Sequence, residues 1–449
     1  MLRKAFSFMK LAPAIPRLSG TSEQIAKIYR YWRIRAFYAV FFGYAFYYVC
    51  RSNLSVAMPI LRQDLGYTKT QLGAITSTFY IIYAFSKLIN GPLCDRSNPR
   101  YFMGIGLLLG AIANIFFGFS STVFFFTLFW ALNGWVQTMG SPSGPKTMSN
   151  WYSISERGSY YGVYNTCHSV GAFAILFAGG FMVEHWGWRY GFVVPGLFCV
   201  LGAFFIMKRL PDRPESVGLP PIEEYHGERS PGEKDYAEGE TIWHTAWHYV
   251  LKNPRIWLLS FASLFVYIIR YGLLDWSPLY LVEAKGSSVG FAGLKASALE
   301  LFGIPGGIAA GFMSDKLFGA RRAPVAVIFL IGVAASATAL YFIPPGHGVL
   351  HALTLGLAGF FTYGPQMLVP GLAAIDYASR KAAATAVGLT GFMSYLGATM
   401  TGYLSGWLAD NYGWKGGFIF WVSSALIAAV LMAFLWNSKP QMKNNRKPA

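Results

Sequence analysis

The chain has 449 residues, of which 54% are hydrophobic and only 13% charged, with a formal net charge of +17. Soluble domains are about one quarter charged, so an ordinary soluble globule is excluded and lipid must be the solvent for much of the surface. The basic excess would suggest nucleic acid in a soluble chain. No zinc-finger spacing or RNA-binding signature accompanies it, so no nucleic-acid partner is expected and the charge reads as loops held on the cytoplasmic side.

The first 35 residues are basic and broken by prolines, with no apolar core before Phe37. No cleavable leader is expected, and the first span serves as the insertion signal. Apolar runs able to cross a bilayer then recur near 36–61, 72–94, 101–120, 123–148, 160–183 and 190–209. A polar stretch at 211–253 follows, rich in acidic residues and proline. Six further runs lie near 256–283, 293–314, 323–343, 349–375, 382–409 and 416–436. The expected fold is an all-α membrane protein with twelve transmembrane helices in two six-helix, pseudo-symmetric halves, 36–210 and 254–437. A cytoplasmic segment at 1–35, a cytoplasmic loop at 211–253 and a tail at 438–449 complete it.

Lys and Arg test the orientation. With an even number of spans, the loops on the side of the termini hold 27 of the 37, and the opposite loops hold six. The bias places both termini in the cytoplasm. Four cations remain inside or beside spans: Arg51, Lys87, Lys146 and Arg270.

An internal repeat organises them. Gly91 opens GPLCDRSNPR and Gly311 opens GFMSDKLFGARR; both run G-x-x-x-D-[RK] into further basic residues. Gly187-Trp188-Arg189 and Gly413-Trp414-Lys415 precede the sixth and twelfth spans alike. Arg51 lies 40 residues before Gly91 and Arg270 lies 41 before Gly311, so the two are near-equivalent positions of the first and seventh spans.

Two buried cations at equivalent positions are costly unless a negative partner visits. A guanidinium fork matches phosphate oxygens two at a time. Tyr44, Tyr48 and Arg51 share one helix face; Tyr83 precedes Lys87 by one turn, Tyr267 precedes Arg270, and Tyr161, Asn165 and His168 follow the same spacing. Tyrosine hydroxyls donate to phosphate or to substrate hydroxyls, and His168 would make phosphate affinity depend on pH. Each residue has a plainer reading. Asp275 or Glu300 could pair with Arg270 as structural acids, Lys87 could snorkel, Lys146 fits an interfacial position, and the tyrosines and His168 could only pack. Asp95 with Arg96 and Arg100, and Asp315 with Lys316 and Arg321, read as cytoplasmic gating turns.

His244 and His248 have metal-compatible spacing but lack an accompanying glutamate, so no metal site is expected. The absence of a Walker lysine motif argues against ATP-driven transport, and no catalytic constellation suggests an enzyme. No cofactor is expected. Cys50, Cys94, Cys167 and Cys199 lie in or beside apolar runs and read as small buried hydrophobes.

The D-[RK] turns of both halves resemble the major facilitator superfamily. More specifically, FFGYAFYYVCRSN around Arg51, YAFSKLINGPLCDRSNPR around Lys87, YNTCHSVG around His168 and FVYIIRYGLLDWSP around Arg270 resemble the organophosphate:phosphate antiporters. The likeness covers about residues 30 to 436. GLPPIEEY, RYGLLDWSP and LFGIPGG are similar to the glycerol 3-phosphate carriers of that family. The resemblance implies a monomer in a bacterial inner membrane that exchanges glycerol 3-phosphate for inorganic phosphate by alternating access. It also implies phosphate binding by Arg51 and Arg270, and substrate roles for Lys87, His168, Tyr44, Tyr48, Tyr83, Tyr267, Tyr363 and Tyr395. Two departures keep the organic group open. Ser52 stands where those carriers have lysine, and Gly140-Ser141-Pro142-Ser143 replaces a Gly-Trp-Pro-Pro run. Hexose 6-phosphate is the alternative substrate, and a transporter-like sugar-phosphate sensor is the alternative function.

Overall fold

The computed structural model describes residues 9–227, 246–377 and 382–438. The tail, the middle of the central loop and His244 of the histidine pair lie outside these. Among the described residues the regular structure is helical, with one isolated bridge between Lys10 and Ser97.

The helices follow the apolar runs, with ends set by local chemistry. α1 (Ser22–Val49) starts well before the first apolar run, because Thr21 and Gln24 form a reciprocal cap. α2 (Asn53–Leu65) completes the first span after a break at Cys50–Ser52. α3 (Lys69–Asp95) is the second span. α4 (Pro99–Phe119) begins with Pro99 behind Asn98, whose side chain accepts from the Arg100 N–H. The fourth span is split into α5 (Val123–Gln137) and α6 (Gly140–Trp151). The fifth is split into α7 (Ile154–Tyr164) and α8 (Cys167–Trp186), and the sixth is α9 (Tyr190–Arg209).

After the short α10 (Ile222–His226) come α11 (Pro254–Lys285), α12 (Val289–Phe312) and α13 (Arg322–Phe342). α14 (Gly348–Met367) runs through a π-helical turn, Leu368–Ala373, into α15 (Ala374–Tyr377). α16 (Ala383–Asn411) and α17 (Gly413–Ala433) complete the set. Among the described residues, eight helices are individually long and apolar enough to cross a bilayer. Large apolar side chains such as Phe119, Leu201, Ile308 and Phe342 remain exposed on them, as expected where lipid is the solvent.

The chain packs into two compact units. One holds residues 1–57 and 85–232, the other 58–84 and 233–449. The boundary therefore differs from the expected halves at one place, because residues 58–84 pack within the second unit. Inside the first unit α1 packs on α8 and α9, and α4 on α9. Inside the second, α11 packs on α16 and α17, and α13 on α17. This is the same pairing, so the repeat read from the turns extends to the packing.

The first unit also carries an amino-terminal strap. Ile15 and Leu18 N–H groups donate to the carbonyls of Glu215 and Gly218 at 3.1 and 2.9 Å. Arg17 forks onto Glu224 with two 2.7 Å bonds, and Tyr29 stacks on Tyr225 at 4.2 Å. The Asp212 carboxylate accepts from the Ala12 N–H at 2.7 Å. Burial lifts the Asp212 carboxyl above its ordinary range, partly offset by that N–H and by Lys146.

Candidate functional site

The first unit gathers Arg51, Tyr44, Tyr48 and His168. Arg51 is 6% exposed and sits in the break between α1 and α2. Its guanidinium lies 5.0 Å from the centre of the Tyr48 ring. Tyr48 in turn meets His168 at 5.4 Å and Tyr44 at 5.6 Å, and Tyr44 meets Tyr164 at 6.1 Å. The expected common face of Tyr161, Asn165 and His168 is interrupted. The fifth span breaks at Asn165, which ends α7 and leaves Asn165 and Tyr161 exposed while His168 is buried on α8. Lys87 is also exposed, one turn beyond Tyr83 on α3.

The break at Arg51 is built from buried amides. Asn114 and Asn133 both donate to the Cys50 carbonyl, at 3.0 and 2.8 Å. Gln137 donates to the Tyr47 carbonyl at 2.9 Å, and Asn53 donates to Asn114 Oδ1 at 2.8 Å. Inserted side chains of this kind interrupt the helical ladder while keeping its carbonyls satisfied.

The second unit gathers Arg270, Glu300, Tyr363, Tyr83, Tyr267 and Tyr395. Arg270 is 1% exposed within the uninterrupted α11. Its guanidinium donates to Gln366 Oε1 and lies 4.7 Å from the Tyr363 ring centre and 5.3 Å from that of Tyr271. The wholly buried Glu300 carboxylate stands 4.0 Å away and accepts a hydrogen bond from the Tyr363 hydroxyl. Tyr395 meets Tyr83 at 4.4 Å and Tyr267 at 5.6 Å. Asp275 accepts from the Tyr80 hydroxyl at 2.8 Å, and Tyr80 meets Tyr271 at 4.6 Å.

The equivalence of the arginines has a packing counterpart. Six residues before Arg51, the Ala45 carbonyl of α1 lies 2.1 Å from where a Cβ on Gly171 of α8 would be. Six residues before Arg270, the Leu264 carbonyl of α11 lies 2.1 Å from where a Cβ on Gly397 of α16 would be. Only glycine permits this approach, and the same contact fixes the helix carrying each arginine.

The charged turns differ from expectation in their partners. Asp315 pairs with Arg322 at 2.5 Å, and Arg322 also holds Asp376 at 2.9 Å, whereas Arg321 donates back to the Phe318 carbonyl. Ala320 takes left-handed backbone, φ 64°, which turns the chain so that the second arginine faces the aspartates. In the other turn Asp95 and Arg96 are exposed. Lys146 donates to the carbonyls of Cys94, Asp95 and Ser97 at 2.6–3.0 Å, and Arg100 donates to those of Met207 and Lys208. Here cations finish helix ends.

Sequence reasoning missed Gln366, Tyr80, Tyr271 and the amides around Cys50. Polar side chains in otherwise apolar runs were the available signal. It also missed an ion cluster within the second unit. Glu283 pairs with Arg62 and with Lys69 at 3.3 Å, Lys69 lies 3.7 Å from Asp410, and the Trp414 indole donates to Glu283 at 3.0 Å.

Comparison with known proteins places the chain in a family. The chain matches the family model of the Major Facilitator Superfamily over residues 40–400 and 281–449. It is 42% identical over 434 residues to a probable hexose phosphate transport protein of Chlamydia trachomatis, covering 93% of this chain and 94% of that one. It is 40% identical over 440 residues to the glycerol-3-phosphate transporter of Bacillus subtilis, covering 96% and 98%. It is 36% identical over 437 residues to the membrane sensor protein UhpC of Salmonella typhimurium, covering 97% and 98%. In structure it superposes on a bacterial homolog of the human lysosomal transporter Spinster with a TM-score of 0.74 at 19% identity, over 90% of this chain and 96% of that one. With the repeated arginines, the repeated helix pairing and relatives alike along nearly its whole length, the chain belongs to the major facilitator superfamily and, within it, to the organophosphate:phosphate antiporter family.

Proposed function

We propose that this protein exchanges a small phosphate ester, glycerol 3-phosphate in the first instance, for inorganic phosphate by alternating access, with both termini cytoplasmic. The observation that carries the reading is Arg270. A guanidinium 1% exposed, with a carboxylate at 4.0 Å, keeps an ion where a passive membrane helix would carry an apolar side chain. Arg51, its repeat equivalent, supplies the second fork for the phosphoryl group. Tyr44, Tyr48, Tyr83, Tyr267, Tyr363, Tyr395, Asn165, His168 and Lys87 contribute donors to the phosphate or to the ester's hydroxyls.

Glu300 offsets part of the charge on Arg270, and Asp275 lies five residues further along the same helix. A site whose cations were fully compensated would hold phosphate poorly, so this reading requires that compensation be incomplete. The empty carrier therefore keeps a charge that opposes its return through a water-poor state, and each 1.4 kcal/mol of that penalty slows the return about tenfold. Bound phosphate removes it, which makes exchange obligatory.

Hexose 6-phosphate is the second reading, favoured by the 42% identity to the chlamydial relative. The test is counterflow in proteoliposomes loaded with phosphate. Labelled glycerol 3-phosphate should accumulate and be displaced by external phosphate. Preferential accumulation of glucose 6-phosphate would select the second reading. Binding without accumulation of either ester would identify a sensor. Efflux of labelled phosphate into phosphate-free buffer at the exchange rate would overturn obligatory exchange.

A further inference from the structure

We propose that Asn114, Asn133 and Gln137 are positioning residues for Arg51, setting the direction of its guanidinium through the backbone of the residues before it. The inference rests on the reading of Arg51 as a phosphate-binding group. A continuous helix through Arg51 would bond the Tyr47 carbonyl to the Arg51 N–H. Here the Arg51 and Ser52 N–H groups both donate to Tyr48, at 3.2 and 3.1 Å. The displaced Tyr47 carbonyl is taken by Gln137 Nε2 at 2.9 Å. The Cys50 carbonyl, one peptide before Arg51, is held from two helices at once, by Asn114 of α4 at 3.0 Å and Asn133 of α5 at 2.8 Å.

The amides also hold one another. Gln137 donates to Asn133 Oδ1 at 3.3 Å and Asn53 to Asn114 Oδ1 at 2.8 Å. Asn53 further reaches the Gly191 carbonyl of α9 at 3.1 Å. All four side chains are at most 3% exposed. Four neutral amides buried in a membrane protein contribute modestly to helix association. What they do locally is fix the peptide planes from Tyr47 to Asn53, and with them the Cα–Cβ direction of the one cation in that stretch. Two donors on one carbonyl also leave that plane little freedom to rotate. Arg270 has no such need, since α11 is continuous and Gln366 and Glu300 act on its guanidinium directly.

The test compares Asn133→Leu and Gln137→Met with Asn90→Leu, using phosphate exchange in proteoliposomes. Asn90 is a buried amide of the same unit that bonds Thr138 and the Trp135 carbonyl and leaves α1 alone. Asn133→Leu should raise the half-saturating phosphate concentration about tenfold and Gln137→Met about threefold, with maximal rate per inserted molecule little changed. Asn90→Leu should lower the yield or melting temperature and leave half-saturation unchanged. Gln137→Met keeps the side-chain shape and so gives a reading if Asn133→Leu fails to insert. Half-saturation that stays normal in both network variants, or that rises equally in Asn90→Leu, overturns the positioning role. Arg51→Lys with undiminished exchange would instead remove the parent reading, which separates the two failures.

Discussion

Arg51 and Arg270 occupy equivalent places in two repeats, yet their surroundings do different jobs. Around Arg270 the neighbours act on the guanidinium itself: a carboxylate at 4.0 Å, an amide oxygen and two aromatic faces. Around Arg51 the Tyr48 ring faces the guanidinium at 5.0 Å, and the amides act on the backbone beside it. The difference teaches that a duplicated scaffold preserves where a cation sits while leaving free how it is held. At one arginine a carboxylate stands beside the charge, and at the other the backbone next to it is fixed.

The sharpest way to break the comparison is to remove the forks. Arg51→Lys and Arg270→Lys keep the charge but lose bidentate geometry, and each should reduce phosphate exchange about 100-fold or more while the protein still inserts. Near-normal exchange in both would end the reading of the two arginines as phosphate-binding groups. Next comes the answered charge. Glu300→Gln makes the Arg270 surroundings more positive, so phosphate should bind about tenfold more tightly and turnover should slow. Weaker phosphate binding would assign Glu300 to folding alone. Gln366→Leu removes one bond to a charged donor. It should raise half-saturation several-fold in the second unit, as Gln137→Met does in the first, and calorimetric titration with phosphate reads it. Smaller effects belong to the turns. Asp315→Asn breaks a pair with Arg322 at 2.5 Å and should slow turnover about threefold with equilibrium affinity intact. Asp95→Asn should do less, because what Lys146 grips there is the Asp95 carbonyl, at 3.0 Å. Equal slowing in the two variants would restore the symmetric gate expected from the repeated motif.

Much of the scaffold was legible because its signals are local and repeated. Apolar runs marked the spans, and the sixth came out with its ends unchanged at Tyr190–Arg209. Nearly equal offsets, 40 and 41 residues, linked the two arginines, and Asp275 and Glu300 stood as the two candidate acids for Arg270. What stayed hidden depends on distant partners. The break at Cys50–Ser52 is produced by side chains 64 and 83 residues away, and nothing near Arg51 announces it. The exchange of Arg321 for Arg322 turns on two successive left-handed residues, Gly319 and Ala320, of which only the glycine signals such backbone. Arg62 and Lys69 entered only as loop charges for orientation, since their acidic partners lie more than 200 positions along the chain.

The amino-terminal strap gives the molecule a sense of time. Ala12 leaves the ribosome among the first residues, but its partner Asp212 follows 200 positions later. At about 5–20 residues per second that is a wait of about 10–40 s. The first six spans are made during that interval, and only then can the opening residues find their carbonyls and their carboxylate. A chain that stops before Asp212 has, among the described residues, only the Lys10–Ser97 bridge and the Asn98 N–H bond to the Met9 carbonyl to hold its beginning. Closure of the strap thus works as a completion mark for the first unit, set by the last residues made and read by the first.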